Sequence, residues 1–128
     1  MNYLTPEQVL FIHHRLIEET GGSHGIRDIG LLQSAIARPK ATFGKQDLYS
    51  DLFTKAAALM HSIVKNHPFV DGNKRTAITA ASLFLLRNNY TLTVSNKELE
   101  KFTIKITGQN VEVQEISNWL KRHSVKNL

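Results

Sequence analysis

The chain contains no cysteine. That absence excludes disulfides, thiolate zinc sites and a cysteine nucleophile together. It suits a reducing cytoplasm, the expected location. No signal peptide or membrane span is visible. The longest apolar run, Ala77 to Leu86, is broken by Thr79 and Ser82 and is too short to cross a bilayer. Repeats, low-complexity tracts and linkers are also missing, so a single domain over residues 1–128 is expected. Acidic residues are the scarcer charges, 11 against 16 basic, and the net charge of +5 favours anionic partners. A nucleotide, a nucleic acid or an acidic protein segment would each satisfy that bias. Hydrophobic content of 41% is enough for a core without staples at this length.

What remains reads as helices. Thr5-Pro6-Glu7-Gln8 is a capping box with proline at the first helical position. Behind it Val9, Ile12, Leu16 and Ile17 share one face, and Gly21-Gly22 ends the helix. A loop runs from Gly21 to Arg27. Asp28 then caps a short helix that turns Leu31, Leu32, Ala35 and Ile36 inward and stops before Pro39. Residues 40–49 carry no clean period and read as a surface loop, with Phe43-Gly44 and Leu48-Tyr49 as either a target-binding flap or plain anchors.

From Ser50 or Asp51 to about Asn66 a helix buries Leu52, Ala56, Leu59, Met60, Ile63 and Val64. The next, from about Lys74 to Asn88, is apolar almost all round and is expected at the centre of a bundle. Thr91 to Val94 is a brief extended link. Ser95 with Glu98 makes a second capping box, opening a helix with Leu99, Phe102 and Ile106 inward that stops at Gly108. A last helix from about Glu112 to Arg122 buries Val113, Ile116 and Leu120, with Trp119 at its edge. The fold class is all-α, a compact bundle of about six helices.

The chemistry concentrates in His67-Pro68-Phe69-Val70-Asp71-Gly72-Asn73-Lys74-Arg75-Thr76. Pro68 prevents the preceding helix from simply continuing. The last residues of this loop form the N-terminus of the apolar helix, where unpaired N–H groups favour anions. Gly72 lets the backbone bend close to a bound oxygen. Asn73 can add an amide donor, and Lys74 and Arg75 add charge. Asp71 offers the hard oxygen that Mg²⁺ prefers. His67 can accept a proton near neutral pH. Phe69 reads as a pin burying the middle of the loop. Each residue also has a plain reading: His67 as a capping or core histidine, Asp71-Gly72 as an ordinary turn, Lys74-Arg75 as a surface pair. The conjunction favours a phosphate site. It is not a P-loop, since Gly72 and Lys74 are not adjacent and no glycine lies five residues before Gly72.

These residues resemble the Fic/Doc superfamily. His67, Phe69, Asp71, Gly72, Asn73 and Arg75 fit its pattern, and Lys74 replaces the glycine usual in the adenylylating Fic branch. The lysine is similar to the Doc (death-on-curing) branch. Ile12-His13, Gly21-Gly22, Gly25, Asp28, Gly30 and Arg38 extend the likeness through the N-terminal half, and the C-terminal helices match more loosely. The resemblance implies that His67 is a general base, that Asp71 holds Mg²⁺, and that Gly72, Asn73 and Lys74 form an anion hole. Arg75 would bind and orient the phosphates of ATP, and Phe69 would anchor the loop. It further implies a toxin of a type II toxin–antitoxin system that phosphorylates elongation factor Tu and arrests translation. A Phd-like antitoxin would cover its groove with a C-terminal segment. Many Fic proteins carry an inhibitory helix with Ser or Thr four residues before Glu. None of the seven glutamates here is so placed, which implies silencing by a separate partner.

Two other functions compete. Adenylylation would transfer AMP instead, and the bulk and charge of Lys74 argue against it. A basic nucleic-acid-binding module would use the loop only as a cap, but no helix-turn-helix signature is recognisable and the charges are spread out. Among other features, Lys97, Lys101 and Lys105 form a basic stripe, either a solvated face or a dock for an acidic partner. His13 either faces the groove or bonds backbone, and His61 reads as partly buried packing.

Overall fold

The structure, a computed structural model, describes all 128 residues. Six α-helices dominate it: α1 (Pro6–Thr20), α2 (Ile29–Ala37), α3 (Leu52–Asn66), α4 (Asn73–Arg87), α5 (Asn96–Gly108) and α6 (Val113–Arg122). Their starts follow local chemistry. Thr5 Oγ1 accepts from the Gln8 N–H at 3.2 Å while Gln8 Oε1 accepts from the Thr5 N–H at 2.8 Å, the reciprocal box expected for α1. Asp28 accepts from Leu31 N at 3.0 Å, and Asp51 exchanges bonds with Thr54 at the head of α3. Ser95 caps α5 by accepting from Glu98 N at 3.2 Å, but the glutamate returns no bond, so only half of that expected box forms.

A core of 25 residues joins these helices. α4 packs on α1, α3 and α5, as its apolar sequence demands. α3 is more enclosed still: ten of its fifteen residues are buried, against seven of fifteen in α4. Its small residues Ala56, Ala57 and Ala58 let α2, α4 and α6 approach from different sides. Val113 is only half-buried, where full burial was expected. No helix is long and apolar enough to cross a membrane.

Two small strand pairs complete the fold. Residues expected as surface loop form a hairpin, β1 (Thr42–Phe43) with β2 (Gln46–Asp47). Its two-residue turn, Gly44-Lys45, has positive φ at both positions, the geometry that matches strand twist in tight hairpins. The extended link becomes β3 (Tyr90–Leu92), which pairs antiparallel with the unanticipated β4 (Ser124–Lys126) near the C-terminus.

The hairpin is fastened by a lysine that periodicity does not reveal. Lys55 is 2% exposed; its Nζ donates to Pro39 O and to Asp47 Oδ2, each at 3.1 Å. Burial alone would lower its pKa, but the hydrogen bonds it donates to Tyr3 and Asp47 outweigh it and raise the value, so the ammonium stays charged. Beside it Arg38 donates to Tyr49 Oη, His61 Nδ1 and Ser62 Oγ at 2.8–2.9 Å. His61 is thus half-buried, as expected, but as a hydrogen-bond acceptor rather than as plain packing.

Candidate active site

Where α3 ends and α4 begins, the chain makes a tight excursion from His67 to Gly72. Three attachments fix it. Phe69 is 1% exposed and stacks on the His13 ring with centroids 3.8 Å apart and planes 5° from parallel. The buried Asn73 side chain brackets the same residue, accepting from Phe69 N and donating to Phe69 O, both at 2.9 Å. Backbone of the Gly25–Asp28 segment pairs with the excursion's other edge: Val70 N donates to Gly25 O, and Arg27 N and Asp28 N to Pro68 O. Phe69 is therefore the pin expected.

Asn73 needs correction in one respect. Its side-chain amide is turned onto Phe69, which engages the oxygen and one of its two N–H donors. Its backbone N–H stands in the first turn of α4, with those of Lys74 and Arg75. No side chain caps that end, since the N-cap is Gly72.

His13 bonds backbone, the second of its two expected roles. It is 5% exposed, and its Nε2 lies 2.8 Å from Asp71 O. A carbonyl can only accept, so Nε2 carries the proton. Burial holds its pKa below the ordinary histidine value, which keeps the ring neutral.

The Asp71 carboxylate is held from both sides. Oδ2 accepts from Ser23 N at 3.0 Å and Oδ1 from Gly72 N at 2.8 Å. Those N–H groups, Ser23 first, pull its pKa below the usual carboxylate range, aided by the Arg75 charge. The ionised group lines a cavity of about 170 Å³ with Gly72, Asn73, Lys74, Arg75, Ile78, Glu100 and Ile104. Each carboxylate oxygen retains acceptor capacity, and Glu100 brings a second carboxylate to the same space. That donor set fits Mg²⁺, which takes one or two carboxylates and fills its other positions with water and phosphate oxygens. Arg75 Nη1 donates to Thr20 Oγ1 and, at 3.4 Å, to Gly21 O, which ties the guanidinium to the end of α1. Lys74 is exposed at the cavity rim.

A family model described as the Fic/DOC family matches residues 3–85. The chain belongs to the Fic/DOC family. Toxin Doc of Mycolicibacterium smegmatis is 53% identical over 72 residues, which are 56% of this chain but only 55% of that protein. Protein kinase doc of Escherichia phage P1 is 30% identical over 122 residues, 95% of each chain.

Within this Fic/DOC site the structure brings Asp71, Gly72, Asn73, Lys74 and Arg75 to one cavity. His67 stands outside its lining, exposed in the left-handed conformation (φ 49°) at the C-cap of α3. Two site residues escape sequence reasoning. Arg27 donates Nε to His67 O and Nη2 to Asn66 O, both at 2.6 Å, and so sets the backbone of His67. Gly22 (φ 112°) leaves room for Asp71, since a Cβ there would lie 2.5 Å from Oδ2. The Gly21-Gly22 doublet was a visible signal, but it reads equally as a helix stop. Gly22→Ala is expected to lower stability by more than about 1 kcal/mol, from the positive φ and the displaced carboxylate. Thermal melts check this, and a wild-type Tm would refute it.

Proposed function

We propose that this protein is a toxin kinase: it transfers the γ-phosphate of ATP to a hydroxyl of a target protein, with elongation factor Tu as the expected target. The observation that carries the reading is the convergence of an ionised carboxylate, an uncapped helix N-terminus, Lys74 and Arg75 on one small cavity, with the exposed His67 at the start of the same excursion. The names of the two relatives, a toxin and a protein kinase, support it.

The chemistry follows from those groups. His67 takes the proton from the target hydroxyl, whose oxygen then attacks the γ-phosphorus. The bond from that phosphorus to the β,γ-bridging oxygen breaks, and ADP leaves. The N–H groups of Asn73, Lys74 and Arg75 and the two cationic side chains hold the phosphates and offset their charge. Arg75 has five N–H donors, so its bonds to Thr20 and Gly21 leave donors for phosphate. Asp71 would hold Mg²⁺, with Glu100 within the same cavity; bound Mg²⁺ neutralises charge on the phosphate oxygens. Such transfer needs positioning and charge neutralisation above all. Lys74 fills space that glycine would leave and adds charge, which favours a nucleotide pose that presents the γ-phosphate to His67.

A protein substrate fits the hairpin. Phe43 is 82% exposed there and Leu48 is exposed beside it, on a flap fastened beneath by Lys55. An antitoxin's segment fits the larger groove of about 600 Å³, where Lys101, Lys105 and Arg122 outnumber Glu98 and Glu115 around the apolar Phe102 and Trp119. The test is the intact mass of elongation factor Tu after incubation with the chain, Mg²⁺ and ATP. A gain of one phosphate that disappears with His67→Ala is expected. A gain of one AMP would replace the kinase by an adenylyltransferase, and no gain would overturn the choice of target.

A further inference from the structure

His14, Glu18 and His24 stand apart from the phosphate cavity. His14 and Glu18 are one turn apart on the exposed face of α1, and His24 comes from the loop that follows. One ligand atom from each lies within 4.8 Å of the others. Glu18 Oε1 is 2.9 Å from His24 Nε2 and 4.0 Å from His14 Nε2, and the two rings are 4.9 Å apart. Zinc–ligand bonds of about 2.0–2.1 Å in a tetrahedron require ligand atoms roughly 3.3 Å apart. Those two separations fall on either side of that value and the third lies within 4.8 Å, so modest side-chain movements complete the set.

We propose that His14, Glu18 and His24 bind a transition-metal dication of the Zn²⁺ class and thereby pin the loop between Gly21 and Arg27 to α1. Two imidazoles and one carboxylate select zinc-like ions over Mg²⁺ and Ca²⁺, which prefer all-oxygen sites. The ion replaces the proton that His24 and Glu18 now share, and water supplies a fourth position. The consequence reaches the cavity through one residue. Ser23, adjacent to His24, donates the N–H that holds Asp71 Oδ2. A metal-pinned His24 limits the motion of that N–H and with it the motion of the carboxylate.

The test is calorimetric titration of the tag-free chain with zinc chloride near neutral pH, paired with amide exchange. One ion per chain is expected, with affinity at least about tenfold weaker in His14→Ala and in His24→Ala. His123→Ala, remote at the end of α6, should bind as wild type. Zn²⁺ should slow amide exchange at Ser23 and His24 in the wild type and not in His14→Ala. Equal affinity in both ligand variants, or failure to bind one ion per chain, overturns the site. Binding that leaves loop exchange unchanged overturns the pinning. Asp71→Asn separates this inference from the kinase reading, because zinc affinity should survive it.

Discussion

Phe69→Ala is expected to lower stability by about 3–5 kcal/mol, the range for emptying a fully buried phenylalanine site. The ring is 1% exposed and lies flat on the buried His13. Removing it leaves a void against an imidazole that is itself held by Asp71 O and has little freedom to collapse inward. The loss is not confined to packing. The brackets from Asn73 and the pairing with Gly25, Arg27 and Asp28 converge on residues 68–70, so a loosened Phe69 releases the whole excursion. Equilibrium denaturation measures the effect. Phe69→Leu, which refills much of the volume, should lose well under half as much. Equal losses in the two variants, or a wild-type melt for Phe69→Ala, would show that the ring does not hold the loop.

The same residues mark how far sequence reading reaches. Helix starts are written in local side-chain chemistry, so Thr5, Asp28 and Asp51 fix them without tertiary knowledge. The inward stripe of α3 is a matter of period: Ala56, Leu59, Met60, Ile63 and Val64 are buried as expected, while Leu52 at its head is only half-buried. The excursion stands out in the sequence because a histidine, a carboxylate, a glycine, an amide and two cations fall together just before an apolar helix. What stays hidden depends on contacts between distant segments. Lys55 is a residue type that ordinarily favours solvent, and the carbonyl of Pro39, the carboxylate of Asp47 and Tyr3 make its burial tolerable. Arg27 lies forty residues from the carbonyl it grips at His67. Asn73 reads as a free amide until its two partners on Phe69 are seen. β4 is three residues long and acquires its strand character from β3 alone.

His67→Gly is expected to separate activity from stability. Transfer should fall by about a hundred- to ten-thousand-fold, the usual contribution of a positioned general base. Stability should hold or rise by up to about 1 kcal/mol. His67 caps α3 with φ 49° and ψ 58°, a conformation in which a side chain costs energy and glycine does not. Its imidazole is exposed, so little packing is lost with it. The backbone contacts from Arg27 go to the carbonyls of Asn66 and His67, which glycine retains. His67→Ala keeps the unfavourable conformation and should therefore match the wild-type melt while losing the same activity. If His67 were instead a structural cap, both variants would melt earlier and transfer would fall only with the folded fraction. An inactive His67→Gly chain at least as stable as the wild type would mean that this position retains a strained histidine for its chemistry.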